Sequence, residues 1–266
     1  MKISIIGYGN MAKALAHNLI TQPDIQLAVS SPSLKKEQLP SGLFTDFNNQ
    51  AIIENADLVV LAVKPFKVNE VLAEIGGRLP EQAVLLSVAA GITLEHLARY
   101  CPKTQPIVRS MPNTPIAVGK GVTALVANSQ LNETQRQRVE RLFNTGGYAF
   151  WIENEALLNP ITALSGSGPA YVYLFLEALT EGSEKLGINR AQAEFIAKQT
   201  ILGAIDLLNS TQLSPEALRQ NVTSAGGTTA AALDVLQKGQ FKQLLENALQ
   251  KASERAQELG ESLNTL

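Results

Sequence analysis

The run Gly7-Tyr8-Gly9-Asn10-Met11-Ala12 has two glycines and a small residue at a spacing that lets main chain, rather than side chains, hold a phosphate. Gly7 permits a tight turn, Gly9 lets the backbone approach a pyrophosphate, and Ala12 keeps the following helix close to the preceding strand. The amides at the helix N-terminus then face the negative charge. An ordinary strand-to-helix turn can show the same glycines. The setting favours a dinucleotide: the apolar strand Lys2 to Ile6 comes first, and the helix after it carries Met11, Leu15 and Leu19 on one face and Lys13 and His17 on another.

Dinucleotide sites that take NAD usually end the second strand in an acid that bonds the ribose. Here the strand Ile25 to Val29 runs into Ser30-Ser31-Pro32-Ser33, with Lys35 and Lys36 close behind. Hydroxyls and ammonium groups suit a 2′-phosphate that an acid would repel, so NADP is the expected cofactor, with NADH possible. The lysines are equally compatible with a solvated helix start. In an open α/β sheet, ligands lie beyond the carboxyl ends of strands. Three further strand ends therefore matter: Ala62-Val63-Lys64-Pro65, Ala89-Ala90-Gly91, and Met111-Pro112-Asn113-Thr114. Small residues at 89–91 would admit a flat ring, and Asn113 between two prolines could present an orienting amide; tight turns explain both equally well.

A second glycine turn lies far downstream, where Thr223-Ser224-Ala225-Gly226-Gly227 leads into a helix opening at Thr228 and Thr229. Unpaired amides, hydroxyls and the positive helix end make a pocket for a small carboxylate, although a plain capped turn has the same look. Other chemistries are poorly represented. Cys101 is the only cysteine, which excludes an intrachain disulfide and a cysteine metal cluster, and neither His17 nor His96 sits in a partner motif for a thiol nucleophile. No metal site is expected.

These residues need a scaffold, and the 266-residue chain has two textures. Up to about residue 152, apolar β-branched runs (KISII, IQLAV, DLVVLAV, AVLLSVA, PIVRS, GVTALV, AFWI) alternate with helical stretches, the pattern of a parallel sheet buried on both faces. Asn132-Glu133 starts a helix that ends near Gly146. From Asn159 onward only helical patterns remain, one of them signalled by Ser214-Pro215-Glu216. The expected fold is α/β: a Rossmann-like dinucleotide-binding domain over 1–158, then an all-helical substrate-binding and dimerisation domain over 159–266. The helix after Pro169 is apolar on nearly every side, and Ile196, Ile201, Leu202 and Ile205 broaden the next one; such helices must be buried against something, so a homodimer is expected.

With 22 basic against 24 acidic residues, 45% hydrophobic and 17% charged, the chain reads as globular, with no broad positive field for nucleic acid or anionic membrane. The start, MKISIIGYGN, lacks a signal peptide's apolar core, and no apolar run is long enough to span a bilayer. A cytoplasmic location follows as the expectation.

Taken together, IGYGNMA, AVKP, SVAAGI, RSMPNTP, the GSGPAY of Gly166 to Tyr171 and VTSAGGTT resemble pyrroline-5-carboxylate reductases along essentially the whole chain. Two departures stand out: Ala225, where the family usually has proline, and Ser30-Ser31, where relatives often carry Asn-Arg. The resemblance implies reduction of 1-pyrroline-5-carboxylate to L-proline by NADPH or NADH, the last step of proline biosynthesis. It assigns Ser224, Gly226, Gly227, Thr228 and Thr229 to the substrate's carboxylate and ring nitrogen, with Thr229 as the candidate catalytic residue. It puts Asn49, Ala62, Val63 and Lys64 near the adenosine and ribose, and Ala89, Ala90, Gly91, Asn113 and Pro169 near the nicotinamide. It also implies subunits paired through their helical domains, sometimes as five dimers in a ring, with the substrate pocket at the pairing.

Two alternatives remain. A β-hydroxyacid dehydrogenase would need a helical lysine as acid/base, for which Lys185 and Lys198 are candidates, and a non-catalytic NADP sensor would need no carboxylate pocket.

Overall fold

The computed structural model describes residues 1–264. The first part alternates strands and helices: β1 (Lys2–Ile6), α1 (Asn10–Leu19), β2 (Gln26–Ser30), β3 (Glu37–Gln38), β4 (Phe44–Asp46), α2 (Asn49–Ile53), β5 (Leu58–Leu61), α3 (Val68–Ile75), β6 (Val84–Ser87), α4 (Leu94–Ala98), β7 (Ile107–Met111), β8 (Gly121–Ala127), α5 (Glu133–Asn144) and β9 (Gly147–Trp151). The short α6 (Leu158–Ile161) widens into a π-helical turn, Thr162–Gly166. Helices follow: α7 (Gly168–Lys185), α8 (Arg190–Asn209), α9 (Pro215–Asn221), α10 (Thr228–Lys238) and α11 (Phe241–Asn264).

The strands form one sheet in the order β3-β4-β2-β1-β5-β6-β7-β8-β9. From β4 to β7 all neighbours are parallel. Numbered among themselves, those six strands run 3-2-1-4-5-6, the dinucleotide-binding order, with the reversal at β1. β8 returns antiparallel to β7, and β9 lies parallel to β8 at the far edge.

The central strands alternate their burial between two cores. Ile3, Ile5, Leu58 and Val60 join Leu15 and Leu19 of α1 and Val139, Leu142 and Phe143 of α5 on one face. Ile6, Val59 and Leu61 join Ile52, Leu72, Ile75 and Leu97 on the other. Strands covered on both sides must be apolar at every position, which is why their sequence shows continuous runs instead of alternation. The expected strand cores are present to within two residues at each end. β3 and β4 are additions, too short for any period to register. Lys35 and Lys36 stand exposed in the turn before β3, and no helix starts there. Asn132 caps α5 in a reciprocal capping box with Gln135.

Two compact units result: Met1–Ser167 with Lys251–Leu266, and Gly168–Gln250. The expected division ran 1–158 and 159–266, so the units differ from it in two places. The α6 and π-turn region packs on the sheet unit through Leu158, and the end of α11 also belongs to that unit. In the helical unit α7 and α8 pack side by side. Their apolar positions remain open in the single chain, among them Leu174 at 65% exposure and Phe195 at 61%. Among the described residues no helix is long and apolar enough to cross a membrane.

Candidate functional site

The turn after β1 is built as the glycine spacing predicts. Gly7 has φ +94°, its N–H donates to the Ser30 carbonyl (2.8 Å), and a Cβ there would stand 2.6 Å from the Ala62 carbonyl oxygen. Only glycine fits. Gly9 is the opposite case, since a Cβ would meet nothing within 4 Å. The backbone at Gly9 therefore faces open space, with the N-terminus of α1 behind it uncapped by any side chain and without an acid in its first turn. This open cradle fits a pyrophosphate. Ala12 is fully buried against the strand, Tyr8 is half-buried, and Lys13 Nζ lies 5.6 Å from the Tyr8 ring centroid.

At the end of β2, Ser30 is wholly buried and its hydroxyl donates to Asn49 Oδ1 (2.7 Å). Asn49 Nδ2 in turn donates to Glu74 Oε2 (2.7 Å). Ser30 and Asn49, both expected at the cofactor, are thus neighbours, but the Ser30 proton is already committed. Beside it, Ser31 Oγ lies 3.4 Å from Ser33 Oγ, and Lys35 and Lys36 are exposed. Sequence reasoning missed Glu74, and it missed Asp46, which pairs with Ser30 in the sheet and accepts the Asn48 N–H (2.9 Å). Neither has a local motif. Both gain their place from tertiary pairing.

Ala62 and Val63 close under Gly7, and Lys64 precedes a helical turn that opens with Pro65. Pro65, Ala90 and Gly91 line one cavity of about 300 Å³ together with Arg109 and Asn159. Gly91 has φ +82°, Ala89 is buried, and the Ser87 hydroxyl accepts the Ala89 N–H (3.2 Å). The Asn113 side chain makes two bonds within the fold: Nδ2 donates to the Ser165 carbonyl (3.1 Å) and Oδ1 accepts the Val122 N–H (2.9 Å). It ties β7's end to β8 and the π-turn. Arg109 was also unforeseen. Its guanidinium pairs with Glu155 (2.7 Å), which accepts the Leu94 N–H as well (2.9 Å), and the Arg109 side chain is only 10% exposed.

Pro169 is the second residue of α7 in the helical unit, and that unit also carries the second glycine turn. Gly226 adopts φ +71°, the Gly227 N–H donates to the Ser224 carbonyl (3.1 Å), and a Cβ on Gly227 would stand 2.6 Å from Ser224 Oγ. Ser224 Oγ thus lies beside Gly227 at the start of α10, whose amides no side chain caps and whose first turn has no acid. The Thr223 hydroxyl is occupied by the Arg219 carbonyl (2.6 Å). Ser224 and Thr228 are exposed and Thr229 half-buried, so the turn presents hydroxyl and amide donors to an anion.

The remaining chemistry is spare. Burial pushes the Cys101 thiol up to about 11, which keeps it protonated and a poor nucleophile. Burial holds His96 below its ordinary value, and its Nε2 is shared with Asn69 Oδ1 (2.5 Å). No group of three acidic, histidine or cysteine side chains among the described residues could hold a metal. Lys185 and Lys198 are exposed in the single chain, and Lys198 pairs loosely with Glu194 (3.7 Å).

Residues 155–259 match the family model described as pyrroline-5-carboxylate reductase dimerisation, and residues 2–91 match the one described as NADP oxidoreductase coenzyme F420-dependent. A pyrroline-5-carboxylate reductase of Pseudomonas aeruginosa is 38% identical over 98% of each chain, and that of Escherichia coli 35% over 98% of this chain and 99% of the relative. Among solved structures, a Plasmodium falciparum pyrroline carboxylate reductase with NADP bound superposes with a TM-score of 0.89 at 33% identity, covering 98% of both chains. One from Coxiella burnetii gives 0.86 at 39%, covering 97% of both. At these identities, sustained over nearly the full length of both partners, the chain belongs to the pyrroline-5-carboxylate reductase family.

Proposed function

We propose that this protein reduces the C=N bond of 1-pyrroline-5-carboxylate to L-proline with NADPH, NADH being the weaker donor, and so catalyses the last step of proline biosynthesis. The observation that carries the reading is the uncapped start of α10 under Ser224, a carboxylate cradle in a chain that also has a dinucleotide cradle at Gly9.

The cofactor, when bound, supplies a hydride. The chain supplies position. Main-chain amides of Gly9 to Ala12 hold the pyrophosphate, with Gly7 and Tyr8 shaping the turn; Ser31, Lys35 and Lys36 take the 2′-phosphate; Ser30, Asn49, Ala62, Val63, Lys64 and Pro65 border the adenosine and ribose. Ala89, Ala90 and Gly91 offer a small-residue surface to the nicotinamide, and the family resemblance adds Asn113 and Pro169 to its contacts. Ser224, Gly226, Gly227 and Thr228 bind the substrate carboxylate, and Thr229 hydrogen-bonds the ring nitrogen. The imine is protonated before transfer, so the hydride reaches an electrophilic carbon, the C=N electron pair settles on nitrogen, and no residue needs to ionise.

The division into a cofactor domain over 1–158 and a substrate and dimerisation domain over 159–266 belongs to the same reading, supported by the spans of the two family models. So does a homodimer, supported by the open apolar faces of α7 and α8, and a cytoplasmic location, supported by the cofactor and pathway. Following NADPH and NADH consumption with 1-pyrroline-5-carboxylate, a six-membered cyclic imine and a linear imine tests it. Turnover confined to cyclic imino acids is expected; turnover of hydroxy acids alone would replace this reading by a dehydrogenase.

A further inference from the structure

The last turn of α11 lies directly on the loop after β6. A Cβ on Gly91 would meet Leu263 Cδ1 at 3.1 Å and Gly260 Cα at 3.2 Å, and a Cβ on Gly260 would meet the Gly91 carbonyl oxygen at 3.2 Å. Main chain therefore packs on main chain. Asn264 completes the contact. Its Nδ2 donates to the Gly91 carbonyl (2.8 Å), and its Oδ1 accepts both the N–H and the hydroxyl of Thr93 (3.1 Å each). Thr93 Oγ1 in turn caps α4 by accepting the His96 N–H (3.1 Å), and the Arg99 guanidinium reaches the Asn264 carbonyl (3.4 Å).

One side chain thus sets the loop from 171 and 173 residues downstream. The same helix end, through Ala256, Leu259 and Leu263, walls the cavity that Pro65, Ala90 and Gly91 line. Gly91 at φ +82° has no side chain with which to hold itself, so the clamp is its restraint.

We infer that Asn264 is a positioning residue for hydride transfer: it fixes Ala89-Ala90-Gly91 at the height and tilt that the nicotinamide face requires, while touching neither cofactor nor substrate. The inference rests on the proposed seat of the nicotinamide at that loop. Because displacement of reacting groups by about 1 Å can cost up to ~100-fold, a loosened loop lowers turnover. Dinucleotide affinity, which resides mostly in the pyrophosphate and adenosine contacts, stays.

The test uses the full chain with Asn264→Ala and Asn264→Asp. Asp keeps the acceptor for Thr93 but sets an oxygen against the Gly91 carbonyl. In the cofactor-free protein, hydrogen–deuterium exchange at the Thr93 amide is expected to rise about tenfold or more in the Ala variant and much less in the Asp variant, with peptides of β1 and α1 unchanged. At saturating NADPH, kcat is expected to fall about tenfold in the Ala variant, with the dissociation constant for NADP within twofold of the parent. Unchanged exchange at Thr93 would overturn the clamp. Wild-type kcat despite faster exchange, or kcat and NADP affinity falling together with the melting temperature, would overturn the positioning role. Failure of the parent protein to bind NADP or reduce the imine would instead overturn the proposed function, and the positioning role with it, while exchange at Thr93 would still report the clamp.

Discussion

Gly7 and Gly9 stand two residues apart, yet substituting alanine at each should break different properties. At Gly7 the new Cβ would lie 2.6 Å from the Ala62 carbonyl oxygen, 2.8 Å from its carbon and 2.9 Å from Val63 Cγ1. Two of those atoms are backbone of the β5 end and cannot swing away. Overpacking of this kind costs about 1–3 kcal/mol, and forcing a side chain into the positive-φ region adds roughly 1–2 kcal/mol. The expected loss is about 2–5 kcal/mol, a large part of a typical domain's stability. At Gly9, φ is −78° and the Cβ would meet nothing within 4 Å, so the fold loses only the small N-cap preference, up to about 1 kcal/mol. The new methyl would instead occupy the space proposed for pyrophosphate and weaken NADPH binding at least about tenfold, or ~1.4 kcal/mol. Urea denaturation of the cofactor-free proteins and fluorescence titration with NADPH separate the effects. A Gly9→Ala protein that binds NADPH as the parent does, or a Gly7→Ala protein that denatures at the parent's urea midpoint, would refute the reasoning.

Thr229→Ala should lower kcat for the imine about tenfold or more with NADPH affinity preserved, as steady-state kinetics in both substrates will show. Lys35→Ala and Lys36→Ala should each raise the KM for NADPH about two- to fivefold, leave that for NADH unchanged, and flatten the salt dependence of the former. Arg109→Met, which leaves the half-buried Glu155 without its cation, should destabilise the protein by about 1–3 kcal/mol in urea, and adding Glu155→Gln should restore part of that. His96 has its folded value pushed below the ordinary 6.5 by burial, so the unfolded chain takes up a proton the folded one resists. Its contribution is intact above about 6.5 and stability drops as pH falls from there toward the lower folded value; His96→Gln should flatten that part of the urea-midpoint profile.

Local chemistry made much of this molecule legible before any coordinates. Gly7, Gly9 and Ala12 announced a turn whose geometry at Gly7 only glycine permits, and continuous apolar runs such as DLVVL identified strands buried on both faces. The change to helical periodicity after Asn159 marked the second texture of the chain. What stayed hidden depends on residues brought together by folding. Ser30 looked like a free donor, but its hydroxyl turns inward to Asn49 and through it to Glu74. Asn113 looked like an amide for a ligand, but it spans Ser165 and Val122. Arg109, Glu155 and Asn264 belong to no motif, and the partners that place them across the fold lie 46 to 173 residues away in the chain. The short β3 and β4 carried no period to read.

We propose that a hydride passes from a dinucleotide whose pyrophosphate is held at Gly9 to a cyclic imine whose carboxylate is held under Ser224. Supplying NADPH deuterated at the transferable position of the nicotinamide, with 1-pyrroline-5-carboxylate as acceptor, tests it most directly. Mass spectrometry and NMR of the product should show L-proline with a single deuterium on Cδ, the former imine carbon. Proline without deuterium, or oxidation of the cofactor with no proline formed, would contradict it.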